Sequence, residues 1–203
     1  MPGLALALYG AFLVVAFGWR TVVQVRTTGR SGFVGLSGSP ARPEWWGGVL
    51  FVVALAAGAL APLLQLAGAL TPSSAGDGAL ARTGGVALVL AGGVLTLGAQ
   101  REMGRQWRIG VDEDERTELV TGGPFAHVRN PVFSAMLLVA TGLLALVPNV
   151  VALGGLLALL LAVQLQVRWA EEPYLARLHG PAYAAYAARA GRFVPGVGRR
   201  PGG

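Results

Sequence analysis

The sequence predicts an all-α, polytopic membrane protein with about five transmembrane helices and a polar C-terminal region. Three observations predict it. Of 203 residues, 54% are hydrophobic and 13% charged, with a mean hydropathy of +0.58. A soluble domain carries about a quarter charged residues, so much of this surface is built to face something other than water. The apolar residues gather into runs suited to a bilayer core of about 30 Å, which takes roughly 20 helical residues to cross. The 16 basic residues, all arginine, fall mostly in alternate loops between those runs.

Residues 4–25 form the first segment, with Arg20 close enough to its end to snorkel toward the headgroups. A cleaved signal peptide fits less well, because no basic stretch precedes the run and Arg20 follows it. Residues 46–70 form the second, interrupted by Pro62 and Gln65. Residues 79–99 form the third, with Arg82 near its start. Its recurring glycines (Gly84, Gly85, Gly92, Gly93) are read as close-packing points between helices rather than a phosphate cradle. Residues 132–147 and 150–167 are the fourth and fifth, short and joined by a tight turn at Pro148-Asn149. The chain then divides into three N-terminal transmembrane helices, 1–100, and a region, 101–203, that combines a polar loop, a helical hairpin over 132–167 and C-terminal helices.

Arginines fill the first-to-second loop (Arg26, Arg30, Arg42), the third-to-fourth loop (Arg101, Arg105, Arg108, Arg116, Arg129) and the C-terminal stretch. The other two loops, 71–78 and 148–149, have none. The positive-inside rule then places the N-terminus outside and the C-terminus in the cytosol. Arginine without lysine, together with abundant Ala, Gly, Leu and Val, suggests a high-GC coding bias and hence a bacterial inner membrane.

Composition also excludes several chemistries. Without cysteine there is no disulfide, thiolate nucleophile or thiolate-bound metal. Two histidines cannot build a histidine-rich centre, and no metal is expected. The net charge of +6 does not signal nucleic acid, because no basic stripe with interleaved aromatics occurs.

Chemistry concentrates in two polar segments that bracket the hairpin. The first is Gly123-Pro124-Phe125-Ala126-His127-Val128-Arg129-Asn130-Pro131, and the second runs from Arg168 through Glu171-Glu172-Pro173 to Tyr183 and Tyr186. A membrane hairpin brings its two ends to one face, so these segments should converge beside lipid. Asn130-Pro131 reads as a helix N-cap followed by proline at the first helical position. The helix N-terminus, with Arg129 beside it, favours an anionic group. His127 reads equally well as an interfacial aromatic. A carboxylate next to hydrocarbon is costly unless paired or functional, so Glu171 and Glu172 either pair with Arg168 or Arg129 or serve a ligand. The loop 101–130 is too long for a plain connector. Its acidic run, 112–115, is most simply a solvated turn, whereas Leu119-Val120-Thr121 is a short apolar strip able to grip an adenine edge or a ribose hydroxyl.

The ordered set of Trp107, Leu119-Val120-Thr121, Gly123-Pro124-Phe125, Arg129-Asn130-Pro131 with Phe133, Glu171-Glu172, Gly180, Tyr183, Tyr186, Arg192 and Pro195 resembles the isoprenylcysteine carboxyl methyltransferase family and its relatives, the integral-membrane phospholipid methyltransferases. The resemblance covers roughly 101–195; the first two helices show none of it. It implies methyl transfer from S-adenosylmethionine to a lipophilic small-molecule or lipid substrate reached from the bilayer, in a cytosolic C-terminal cofactor-binding region. The acceptor would be the carboxylate of an isoprenoid-like molecule, a phospholipid or a small lipophile. The resemblance places the cofactor against Glu118, Leu119, Val120, Phe125, His127, Asn130, Pro131, Phe133, Glu171 and Tyr183. Arg168 or Arg129 would orient the acceptor, with Glu172 as base or as a support behind the site. Asn130 stands where the family usually has histidine, and Phe125 and Phe133 where it has tyrosine. Asparagine can hydrogen-bond but cannot act as acid or base. Membrane sterol reductases look similar around the Gly-aromatic-Arg-Xaa-Pro turn, and Arg101, Arg105 and Arg108 would then serve the 2′-phosphate of NADPH. A non-catalytic membrane scaffold is the third reading.

Overall fold

The computed structural model describes residues 1–33, 35, 39–73, 78–108, 110 and 117–200, and it is all-helical apart from isolated bridges. Helix α1 runs Pro2–Thr28, with a π-helical turn over Val14–Trp19. Helix α2 is Pro43–Leu66 and α3 is Ala79–Met103. Helix α4, Pro131–Leu146, and α5, Val150–Leu165, form the hairpin. A second π turn, Gln166–Glu171, carries the chain from α5 into α6, Glu172–Arg189. Four of these helical stretches are long and apolar enough to cross a membrane, and α4 is a shorter apolar helix of 16 residues. Large apolar side chains such as Val14, Val52, Leu60, Leu90, Val94 and Leu157 face outward. Outward-facing apolar residues on several helices are solvated by lipid, not water. The chain is a polytopic all-α membrane protein.

Several boundaries move from where the hydropathy puts them. Helix α2 ends at Leu66 because Gly68 takes a left-handed φ of 73° and turns the chain. Helix α3 continues past Ala99 to Met103, so Arg101 is helical. The stretch after α5 does not stop at the membrane face. It stays helical to Arg189, broken only at Gly180 (φ 48°), which lies just before Pro181. The acidic run 112–115 lies outside the described residues.

Packing rests on small residues. Helices α3 and α4 cross where Gly85 meets Gly142 and where Gly92 meets Ala135 and Val139. By contrast, Gly84 and Gly93 have open space around them. Helix α5 lies on α2, with Gly155 against Ala57 and Gly47 against the carbonyl of Ala162. Helix α1 lays the Tyr9 ring over Gly58 and donates its hydroxyl to the Leu55 carbonyl, 2.7 Å away. A Cβ on Gly142 would sit 2.6 Å from the Gly85 carbonyl oxygen, and a backbone atom cannot swing aside. Gly142→Ala is therefore expected to cost about 1–3 kcal/mol from overpacking, read as a lower midpoint of thermal unfolding in detergent.

The turn at Pro148-Asn149 is held from three sides. Asn149 Oδ1 accepts from the amides of Val151 and Ala152, capping α5. Its Nδ2 donates to the Ala61 carbonyl and to Gln65 Oε1. The Ser73 amide donates to the Pro148 carbonyl, so the two arginine-free loops meet on one face. On the opposite face Gln24 Nε2 donates to the Arg105 carbonyl, 2.9 Å away. Arg20 does not snorkel outward. It is buried, donates to the Gly104 carbonyl and stacks 5.0 Å from the Trp107 ring, because the chain after α3 folds back over it.

Candidate active site

The two polar segments do meet, and the C-terminal stretch ties them together. Arg129 Nη2 donates to Glu172 Oε1 at 2.8 Å, with both side chains 2% exposed. Arg192 adds a two-point contact, Nε to Oε1 at 2.8 Å and Nη2 to Oε2 at 2.9 Å, and Arg200 reaches Oε2 at 2.7 Å. The remaining Nη hydrogens of Arg129 go to the carbonyls of Ala187, Ala190 and Gly198, and its Nε has no hydrogen-bond partner among the described residues. Backbone pairing runs alongside: Arg129 N to Gly191 O, Gly191 N to His127 O and Asn130 N to Arg192 O. A carboxylate with this many charged donors is a lock for the fold and a poor base.

Asn130 occupies the N-cap position of α4, but its side chain does not cap. Its backbone (φ −127°, ψ 59°) turns Nδ2 across to the Arg192 carbonyl, 3.0 Å away. Ser134 Oγ donates to the carbonyls of Asn130 and Phe193 and completes the seam. The asparagine thus joins the helix start to the C-terminal stretch.

Beside this lock lies a cavity of about 570 Å³. Its inner wall comes from the apolar middle of the bundle: Phe12, Phe51, Leu55 and Met136. Its polar lining comes from Arg108, Arg129, Asn130, Gln166 and Glu171. Trp107, Phe125, Pro131 and Phe133 join the two parts. Both π turns supply lining residues, Ala16 and Phe17 from one, Gln166 and Glu171 from the other. Such turns recur at functional sites because they aim side chains that a regular helix would not.

The two adjacent glutamates are pushed in opposite directions. Glu171, beyond the membrane-spanning part of α5, has its carboxyl raised to about 7, chiefly by burial, with Arg108 opposing and Glu172 adding to the rise. Burial also acts to raise Glu172, but hydrogen bonds from Arg192 and Arg129 and their charges outweigh it and hold the group below the ordinary carboxylate range. Groups driven apart in this way divide the work: Glu172 holds the fold, and Glu171 faces the cavity.

Of the residues singled out in the sequence, Trp107, Arg108, Phe125, Arg129, Asn130, Pro131, Phe133 and Glu171 come together in the cavity wall. The others lie elsewhere. Leu119 packs on the small cluster of Tyr183, Tyr186, Ala187 and Ala190. Tyr183 is buried there and Tyr186 donates to the Phe125 carbonyl, supporting the wall from behind. Glu118 and His127 are exposed, Val120 is partly exposed, and none of the three lines the cavity. Arg168 is exposed, donates to Gln164 Oε1 and does not belong to the cavity lining among the described residues. The wide π turn is the reason, since it breaks the three-residue spacing that would put Arg168 and Glu171 on one α-helical face. Sequence reasoning missed Thr96, Gln100 and the α1 and α2 residues of the inner wall. A lone Thr or Gln inside an apolar run carries no motif signal.

Fold and site together define an integral membrane protein with a cavity lined by charged groups on one part and apolar groups on another. A family model described as phospholipid methyltransferase matches residues 80–182, which is 103 of the chain's 203 residues. The chain belongs to this family, and so among the membrane methyltransferases. No curated protein and no solved structure matches it. The matched stretch begins in α3, before the motif-bearing loop, and ends just short of Tyr183.

Proposed function

We propose that the protein transfers a methyl group from S-adenosylmethionine to a lipophilic acceptor that enters from the bilayer, at a cytosolic face with the N-terminus outside. The observation that carries this reading is the cavity's dual lining, charged in one part and apolar in the other. A polar cofactor and a lipid tail then share one enclosure. Its volume lies in the range of small-molecule sites, roughly 300–1,000 Å³.

The residues present fit the cofactor. Glu171 offers a carboxylate to an ammonium or sulfonium cation. Arg129 lines the same space with a buried Nε that has no hydrogen-bond partner among the described residues, a donor suited to a carboxylate. Phe125, Pro131 and Phe133 supply an apolar surface for the adenosine. When bound, S-adenosylmethionine supplies an activated methyl carbon that bonds to the acceptor's lone pair while the C–S bond breaks and sulfur keeps its electrons. The protein's part is alignment and exclusion of water, and the aromatic wall of Phe12, Phe17 and Phe51 performs the second.

The acceptor is a lipid or a small lipophile, and family membership favours the phospholipid branch. Arg168 is exposed and bonded to Gln164, which favours Arg129, in the cavity wall, over Arg168 as the arginine nearest an acceptor. Of the three arginines considered for an NADPH phosphate, only Arg108 reaches the cavity. Equilibrium titration of the purified protein in detergent tests the choice of cofactor. Saturable binding of S-adenosylmethionine with no detectable heat from NADPH is expected; the reverse order would assign the site to a reductase, and silence from both to a scaffold.

A further inference from the structure

Thr96 and Gln100 are polar side chains set among apolar ones in the cavity wall, one helical turn apart on α3. They are 1% and 4% exposed. Gln100 Nε2 donates to the Ala16 carbonyl at 2.8 Å, within the π turn of α1. A carbonyl only accepts, so this bond fixes the amide's orientation and leaves Oε1 as a bare acceptor. That Oε1 and Thr96 Oγ1 are buried without a hydrogen-bond partner among the described residues.

Among the described helical threonines, Thr96 shares with Thr21 a buried hydroxyl that has no hydrogen-bond partner, and of the two only Thr96 lines the cavity. A threonine inside a helix ordinarily returns its hydroxyl to the carbonyl four residues back. Thr27, Thr83 and Thr141 all do so here, at 2.9, 3.0 and 2.8 Å. Thr96 leaves that bond unmade. Buried polar groups without partners are rare and call for an explanation, and Thr96 and Gln100 lie on one face of one helix beside a cavity.

Given the methyl-transfer reading, we propose that Thr96 and Gln100 receive the polar head of the methyl acceptor, and that this head donates a hydrogen bond. An N–H or O–H of the uncharged head satisfies Gln100 Oε1, while its nitrogen or oxygen accepts from the Thr96 hydroxyl on docking and then presents its lone pair. The N–CH3 or O–CH3 bond forms as the C–S bond breaks with its electrons on sulfur, and the head's proton is released to water at the cavity's polar end. A carboxylate fails, because it would set anionic oxygen against an amide oxygen. The acceptor is thus an amine or an alcohol, with its chain along Phe12, Phe51 and Leu55. Val52 lines the cavity and is also 60% exposed, which marks where the chain passes into the bilayer.

The test uses the full chain in phosphatidylcholine nanodiscs, with methyl-labelled S-adenosylmethionine and dodecylamine, 1-dodecanol or dodecanoate as acceptor probe. The variants are Thr96→Val, Gln100→Leu and the conservative Thr96→Ser, and cofactor affinity is measured on each by calorimetry. Transfer is expected to the amine or the alcohol and not to the carboxylate, and the arm that takes label identifies which. Acceptor KM should rise about tenfold or more in Thr96→Val and Gln100→Leu, stay near the parent value in Thr96→Ser, and cofactor affinity should stay within about twofold throughout. The inference is overturned if dodecanoate is the preferred acceptor, if the parent binds cofactor but methylates neither amine nor alcohol, if both variants keep the parent KM, or if they lose cofactor affinity. A parent chain that binds no S-adenosylmethionine would instead overturn the methyl-transfer reading beneath it.

Discussion

Glu171→Gln is expected to weaken S-adenosylmethionine binding by about 10–100-fold while making the ligand-free protein more stable at neutral pH. The first effect follows from removing a charge-assisted contact worth about 1.5–3 kcal/mol. The second follows from the direction of the carboxyl's shift. Its pKa is raised to about 7 by burial, against the opposing charge of Arg108. A group raised in the folded state contributes stability below its ordinary value, and that contribution is lost as pH rises through about 7. The neutral amide never incurs that loss. A bound cation reverses the preference and favours the ionised carboxylate, so cofactor affinity should climb with pH until about 7 and then level off. Binding below that pH should release a proton, seen as a calorimetric enthalpy that changes with the buffer's ionisation heat. In Glu171→Gln both pH dependences should vanish. A variant that keeps parental affinity and the same pH profile would remove Glu171 from the site.

Glu172→Ala is expected to destabilise the protein by about 3–5 kcal/mol, the usual result of breaking a buried ion pair from one side. Arg129 would be left 2% exposed with no carboxylate, and Arg192 and Arg200 would lose their anchor. The stretch after α6 should then become sensitive to protease. Acid should act in the opposite sense from its neighbour. Glu172 lies below the ordinary range, so its stabilisation is complete above about pH 4.3 and disappears as pH falls further. Thermal melts across about pH 3–6 would show it. A Glu172→Ala protein that melts like the parent would show that the four charged groups are not a structural lock.

Most of the helices are legible in the sequence because a bilayer core fixes their length and composition, and the arginine loops fix which ends share a face. Boundaries shift where a single glycine decides them, as at Gly68. The candidate site's lining is legible in part. Phe125, Arg129, Asn130, Pro131, Phe133 and Glu171 are marked by motif and all line the cavity. The division of labour between Glu171 and Glu172 is not legible, since adjacent helical residues point about 100° apart and only the π turn determines which faces inward. The same π turn leaves Arg168 outside the cavity lining, which its spacing from Glu171 does not show. Nor does the sequence show that Asn130 forgoes its cap for the Arg192 carbonyl, a partner 62 residues away. Thr96 and Gln100 leave no periodic trace, because polarity within a span takes on meaning only when a cavity lies beside it.

Departure of a methyl group from S-adenosylmethionine inside this cavity is the central proposal. The most direct measurement incubates the purified chain with methyl-labelled S-adenosylmethionine and a lipid extract, then counts label in the organic phase for the parent and for Glu171→Gln. The account predicts label in a lipid-soluble product that depends on the parent protein and falls at least about tenfold in the variant at sub-saturating cofactor. Label that stays in the aqueous phase with the parent, or reaches the organic phase equally with Glu171→Gln, would contradict it.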